Sequence, residues 1–188
     1  MLERAENQEE LQMLYQVTSP MPNPTPFLFL SAILATLWLA GCAHAEPIRG
    51  RVVGVADGDT LTVLDASNRQ HKIRLAGIDS PEKRQPFGQV CKQSLSDLAY
   101  ERAVLVESSK RDRYGRVVGK VLADGQDVNL EQLRRGCGWH YKQYQNDQSL
   151  DDRLAYNAAE VSARKDRIGL WVDRNPVPPW EWRKAGNK

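Results

Sequence analysis

Residues 51–75 read RVVGVADGDTLTVLDASNRQHKIRL, and this stretch decides the fold. Arg51 to Val55 reads as a strand, and Asp57-Gly58 is a tight-turn signal. Leu61 and Val63 then alternate with Thr60, Thr62 and Leu64, so a second strand follows. In His71 to Leu75, Ile73 and Leu75 point to one face of a third strand, Lys72 and Arg74 to the other. No helical pattern separates the three, so they form an antiparallel meander.

Downstream, Cys91, Leu95 and Leu98 recur at helical spacing after Gly88. Val104–Glu107 and Val117–Leu122 read as two more strands, followed by an Asp124-Gly125 turn. Asn129 is placed to cap a short helix with Leu130 and Leu133 inward and Gly136 as its stop. A longer helix opens on Ser149-x-x-Asp152, carries Leu150, Leu154, Ala158 and Val161 along one face, and stops at Gly169. Pro176, Val177, Pro178 and Pro179 predict an extended tail whose Trp180 and Trp182 pack on the body. The expected class is α+β: a five-stranded OB-type β-barrel with three helices.

Residues 27–42 carry no charge but fall short of the roughly 20 residues of a membrane span. They suit the apolar core of a signal peptide. Two cleavage readings stay open. Ala43-His44-Ala45 has the small-x-small form of an ordinary site, while Leu39-Ala40-Gly41-Cys42 resembles a lipobox that would make Cys42 a lipid anchor. Glu3, Glu6, Glu9 and Glu10 outnumber Arg4 ahead of the core, which points to a start at Met21. The expected division is a leader and signal peptide at 1–45, a folded domain at 46–172 and a tail at 173–188. The expected location is exported, periplasmic or extracellular, free or anchored.

Without the first 45 residues the chain holds 25 basic and 20 acidic side chains. That excess suits a polyanionic partner or a merely soluble surface equally well. Cys91 and Cys137 could pair in an oxidising compartment or remain buried thiols, and both readings stay open. Three histidines, one of them in the leader, argue against a zinc site or a histidine-based mechanism. No Walker-type glycine loop is present.

Carboxylates and arginines remain, in three clusters. Asp57-Gly58-Asp59-Thr60 is an ordinary turn in isolation, but Asp59 at its exit offers oxygen to a hard cation. Arg74 and then Asp79-Ser80-Pro81-Glu82 place a cation, a candidate ligand and a second carboxylate within nine residues. Asp112-Arg113-Tyr114-Gly115-Arg116 supplies a second guanidinium fork that matches phosphate oxygens. In order, spacing and residue type these clusters resemble the thermonuclease (staphylococcal nuclease) family: Asp-Gly-Asp-Thr, then Arg-x-x-x-x-Asp-Thr-Pro-Glu, then Asp-x-Tyr-Gly-Arg. The resemblance covers about residues 50–172, including Gly136 and Gly169-Leu170-Trp171.

That resemblance implies a calcium-dependent nuclease cutting DNA and RNA to 3′-phosphate ends, acting as a monomer. It implies Ca²⁺ on Asp59, Asp79 and the main-chain oxygen of Ser80, where the family usually has Thr. It implies phosphate binding by Arg74 and Arg116, water activation or positioning by Glu82, and Asp57 as a carboxylate near the metal. Arg113 and Tyr114 match contacts to a terminal phosphate, with Arg113 where Lys is common. Tyr141 or Tyr144 matches the tyrosine that stacks on the base. The loop from Glu82 to the next helix is shorter than in the type member. The alternatives are an OB module that holds nucleic acid without cutting it, and an envelope lipoprotein. Degenerate relatives lose the acidic and arginine positions that this chain keeps.

Overall fold

The computed structural model describes residues 46–186, so the leader, Cys42 and both cleavage readings lie outside the described residues. The three expected strands are β1 (Ile48–Val55), β2 (Thr60–Asp65) and β3 (Gln70–Leu75), paired antiparallel in sequence. A short β4 (Ile78–Asp79) leads to helix α1 (Gly88–Ala99). Strands β5 (Ala103–Arg111) and β6 (Val117–Ala123) pair antiparallel, and β5 also joins β1. A parallel pairing of β3 with β6, Ile73 opposite Val117 and Leu75 opposite Gly119, closes the five-stranded barrel. Closure leaves those strands no free edge.

Alternation does what the pattern predicts. Val52, Leu61, Val63, Ile73, Val106 and Val121 are buried in the barrel, while Arg74 sits on the opposite face of β3. Each such aliphatic side chain contributes about 1.5–3 kcal/mol by leaving water. From α1, Cys91, Leu95 and Leu98 are buried as expected.

After β7 (Gln126–Asp127), helix α2 (Val128–Arg134) is capped by Asp127, whose side chain accepts from Leu130 N at 3.0 Å. Asn129 is not the cap. It is wholly buried and stitches α2 to the barrel: Nδ2 donates to Ala76 O and Gly119 O, and Oδ1 accepts from Val121 N. A side chain able both to donate and to accept is worth more between two buried backbones than at a helix end where a carboxylate is to hand. Gly136 ends α2 as expected, at φ 63°, with Cys137 N donating to Gln132 O.

Helix α3 (Leu150–Lys165) follows β8 (Trp139–His140) and a 3₁₀ turn at Lys142–Asp147. Ser149 caps it through Asp152 N at 3.1 Å. The expected apolar face is wrong: Leu150, Leu154 and Val161 are exposed, and Ala158 with them. Tyr156, Ala159, Glu160 and Ala163 face inward instead. That face has equal helical spacing, small alanines for close approach, and polar groups with partners. Tyr156 Oη donates to Asp127, and Glu160 accepts from His140 N and Arg164. Nor does Gly169 stop the helix. Arg167 takes the left-handed position at φ 54°, with Ile168 N donating to Ala163 O. Gly169 serves a contact instead, since a Cβ there would meet Gly136 O at 2.4 Å.

The tail departs from expectation in one way. Pro178 is extended, but Pro179–Lys184 form a fourth helix, α4, with Pro179 in its first turn and Arg183 and Lys184 in its last. Trp180 packs edge-on against Trp139 as anticipated, and Gln85 Nε2 donates to Val177 O at 2.6 Å. Cys91 and Cys137 are buried free thiols. Among the described residues no helix is long and apolar enough to cross a membrane.

Candidate active site

All three clusters open into one cleft of about 1040 Å³, lined by Asp57, Asp59, Arg74, Asp79, Ser80 and Glu82 on one side. Arg113, Tyr114, Arg116, Tyr141 and Tyr144 line it as well, so every residue given a metal, catalytic or substrate role by the resemblance reaches the same space.

The two aspartate loops meet because Gly58 is small. A Cβ there would stand 2.8 Å from Ser80 Cβ and 2.9 Å from Cys91 Cβ. Gln132 Nε2 holds the Gly58 carbonyl at 2.7 Å. Across this contact Ser80 N donates to Asp59 Oδ2 at 2.7 Å, and Ser80 Oγ anchors on Cys137 O at 2.6 Å. The pairing of β4 with β8, Asp79 opposite Trp139, fixes the second aspartate. Glu82 is held by a compact turn in which its N–H donates to Gln85 Oε1 and its carbonyl accepts from Gln85 N.

Arg74 bridges both aspartates. Nη2 donates to Asp79 Oδ1 at 2.7 Å, and Nη1 lies 2.5 Å from Asp59 Oδ2, an ionic contact outside hydrogen-bond geometry. Arg116 Nε donates to Asp112 Oδ2 at 2.7 Å, and Nη1 reaches Thr60 Oγ1 at 3.3 Å, which itself donates to Asp59 Oδ1. Both guanidinium groups therefore connect to the Asp59 carboxylate. At the cleft mouth Tyr114 is 69% exposed, with Arg113 over its ring at 4.9 Å. Tyr141 is packed between Trp180, stacked at 5.6 Å, and the edge of Tyr144. Tyr144 is about half exposed beside Lys110, which pairs with Asp147. Of the two tyrosines, Tyr144 is the freer for a base.

The acidic groups crowd one another. Burial, with the charge of Asp59 next, pushes Asp57 from 3.8 up to about 7. Burial also raises Asp79, against the hydrogen bonds of Arg183 and the charge of Arg74. Burial would lower Arg74, but Asp59, Asp79 and Asp57 outweigh it and hold its proton. Asp57, Asp59, Asp79 and Glu82 present oxygen-only donors, a composition that fits a hard divalent cation and not zinc. Among the described residues no group of three or more acidic, His or Cys side chains is arranged to hold a metal, whereas the expected set needs only two carboxylates.

One residue of the cleft was not foreseen. Arg183, from α4, donates through Nη2 to Asp79 Oδ2 at 2.8 Å and through Nη1 to Glu82 Oε1 at 2.7 Å. The run Pro179-Trp-Glu-Trp-Arg-Lys, with proline first, an acid in the first turn and bases in the last, could have disclosed the helix. Nothing local discloses its destination.

A closed barrel thus brings two aspartate loops and two arginines to one cleft. Comparison with known proteins makes the class specific. The model of the family described as staphylococcal nuclease homologue matches residues 72–173. A Haemophilus influenzae protein named uncharacterized endonuclease is 42% identical over 157 residues, covering 84% of each chain. An Escherichia coli protein of the same name is 43% identical, covering 78% of this chain and 90% of its own. A Shigella flexneri protein named micrococcal nuclease is 40% identical over 73% of this chain and 81% of its own. The chain belongs to the staphylococcal nuclease homologue family.

Proposed function

We propose that this nuclease is calcium-dependent, hydrolyses phosphodiester bonds in both DNA and RNA, and leaves 3′-phosphate ends. The observation that carries the proposal is the single guanidinium of Arg74 shared by Asp59 and Asp79, with Arg116 tied to the same carboxylate through Thr60. Asp59, Asp79 and the main-chain oxygen of Ser80 are the residues that would hold Ca²⁺, and Asp57 would add charge behind them. Bound there, the ion would supply a hard divalent charge against the phosphoryl oxygens.

The chain's own groups do the rest. Arg74 and Arg116 offer the N–H groups left over from their carboxylate and threonine contacts to the oxygens of the target phosphate, and gain most when charge builds on them in the transition state. Glu82 holds the attacking water and takes its proton as the bond to phosphorus forms and the bond to the 5′ oxygen breaks, the leaving oxygen taking a proton from solvent. Arg113 and Tyr114 meet a neighbouring phosphate at the open mouth. Tyr144 takes a base on its exposed ring.

A module that only held nucleic acid would need neither the paired aspartates nor Glu82, and the chain has kept all three. We extend the proposal to export through the apolar segment at 27–42, with cleavage after Ala45 or lipidation at Cys42, which mass spectrometry of the mature N-terminus distinguishes. The test of function is cleavage of denatured DNA and of RNA by the purified protein. Ca²⁺ is expected to support it, EGTA to stop it, and the products to carry 3′-phosphate. An equal rate in chelator would refute the metal role.

A further inference from the structure

We propose that Arg183 is a tethered counter-ion for the cation site: docked, α4 holds Asp79 and Glu82 in a resting state, and Ca²⁺ must displace the Arg183 guanidinium to reach them. This rests on the calcium-dependent reading above and deepens it.

Both oxygens of Asp79 are engaged by guanidinium groups. Oδ1 accepts from Arg74 Nη2 at 2.7 Å and from Arg183 Nη1 at 3.3 Å, and Oδ2 accepts from Arg183 Nη2 at 2.8 Å. With Arg183 docked the Asp79 side chain is 1% exposed, so the guanidinium covers the carboxylate that an incoming ion would need. A cation on the same carboxylate would be repelled by the Arg183 charge beside it. Arg183 Nη1 also occupies Glu82 Oε1 at 2.7 Å. A carboxylate in a charge-assisted bond is a poorer acceptor for a water proton. Trp180, three residues before Arg183, lies flat on Tyr141, 7° from parallel. One six-residue helix thus covers a proposed ligand, the proposed base and one candidate stacking ring.

The attachment suits a part that lets go. A helix of six residues has no stability of its own and depends on what it touches. Those contacts are the buried Pro179, Trp180 on Tyr141 and on the cluster of Trp139, Leu170 and Trp171, Gln85 on the Val177 carbonyl, and the Arg183 ion pairs. A short terminal helix joined to the body through these contacts alone opens at lower free-energy cost than the barrel.

The experiment is a calorimetric titration of Ca²⁺ into the wild type, Arg183→Ala and Trp180→Ala, paired with hydrogen exchange of residues 179–184 with and without Ca²⁺. Arg183→Ala is expected to bind Ca²⁺ about tenfold more tightly, because two charge-assisted bonds no longer compete. Trp180→Ala keeps every charge but loosens α4, and is expected to tighten binding roughly threefold. In the wild type, Ca²⁺ is expected to speed exchange in 179–184. Binding as weak as or weaker than wild type in both variants, or slower exchange of α4 with Ca²⁺, overturns the inference. If the wild type neither binds Ca²⁺ nor cuts with it, the functional reading itself falls. If it binds and cuts with Ca²⁺ while both variants bind no more tightly, the inference alone falls.

Discussion

Replacing Arg74 by Ala separates the residue's structural task from its chemical one. Its guanidinium lies between Asp59, 6% exposed, and Asp79, fully buried. Removing one partner of a buried ion pair costs about 3–5 kcal/mol, here mainly at Asp59, whose ion pair among the described residues is with Arg74, while Asp79 keeps Arg183. For a folded domain near 140 residues this lowers Tm by roughly 10 °C or more. Saturating Ca²⁺ restores a shared positive charge to both carboxylates, so the Tm gap to wild type is expected to shrink by half or more. Activity does not return, since the ion cannot present a fork to the phosphate. kcat/KM is expected to stay down by about 10²–10³, the usual cost of losing one transition-state donor. Calorimetry with and without Ca²⁺ and a steady-state assay on denatured DNA measure the two quantities. A Tm gap unchanged by Ca²⁺ would mean that the aspartates do not share an ion. Activity near wild type would remove Arg74 from the phosphate.

Three further outcomes follow from the same geometry. Glu82→Gln keeps the shape of the side chain but cannot take a proton, so kcat is expected to fall by roughly 10²–10⁴ with Ca²⁺ affinity changed far less; a rate near wild type would unseat Glu82. Asp57 has its folded pKa raised from 3.8 to about 7, so the native state binds more protons than the unfolded state between those values. Stability of the Ca²⁺-free protein is therefore full below about pH 4 for this group and is lost as pH rises toward 7. The full difference corresponds to ~4 kcal/mol, reduced to roughly 1–2 kcal/mol by solvent at a partly exposed side chain, and Asp57→Asn is expected to flatten the Tm–pH curve over that range. Gly136→Ala places a Cβ 2.1 Å from Ile168 O at a φ of 63°, and is expected to cost about 2 kcal/mol or more in denaturant unfolding. A neutral result would remove the need for a glycine where the ends of α2 and α3 meet.

The sequence made the barrel legible because its strands obey a period of two with turns between them, and Arg74 opposite Ile73 and Leu75 followed from that period alone. The site clusters were legible because each is local: Asp57 to Thr60, Arg74 to Glu82, Asp112 to Arg116. Where two local rules competed, reading the chain alone chose wrongly. Asn129 looked like a cap, but Asp127 two residues earlier was equally suited and left Asn129 free to bond three backbone groups. The apolar stripe of α3 lost to a face whose tyrosine and glutamate find partners on β7 and β8, contacts that no periodicity encodes. Arg183 was invisible for a stronger reason. Its partners lie 104 and 101 residues away, and only the docking of α4 brings them together.

The central claim is that two turns, 20 residues apart in sequence, enclose one divalent ion beside a pair of arginines. A calorimetric titration of Ca²⁺ comparing wild type with Asp59→Asn and Asp79→Asn tests it most directly. One saturable site in the wild type, lost in each variant while the far-UV spectrum stays native, is the predicted result. Unchanged binding in either variant, or no saturable binding in the wild type, would contradict it.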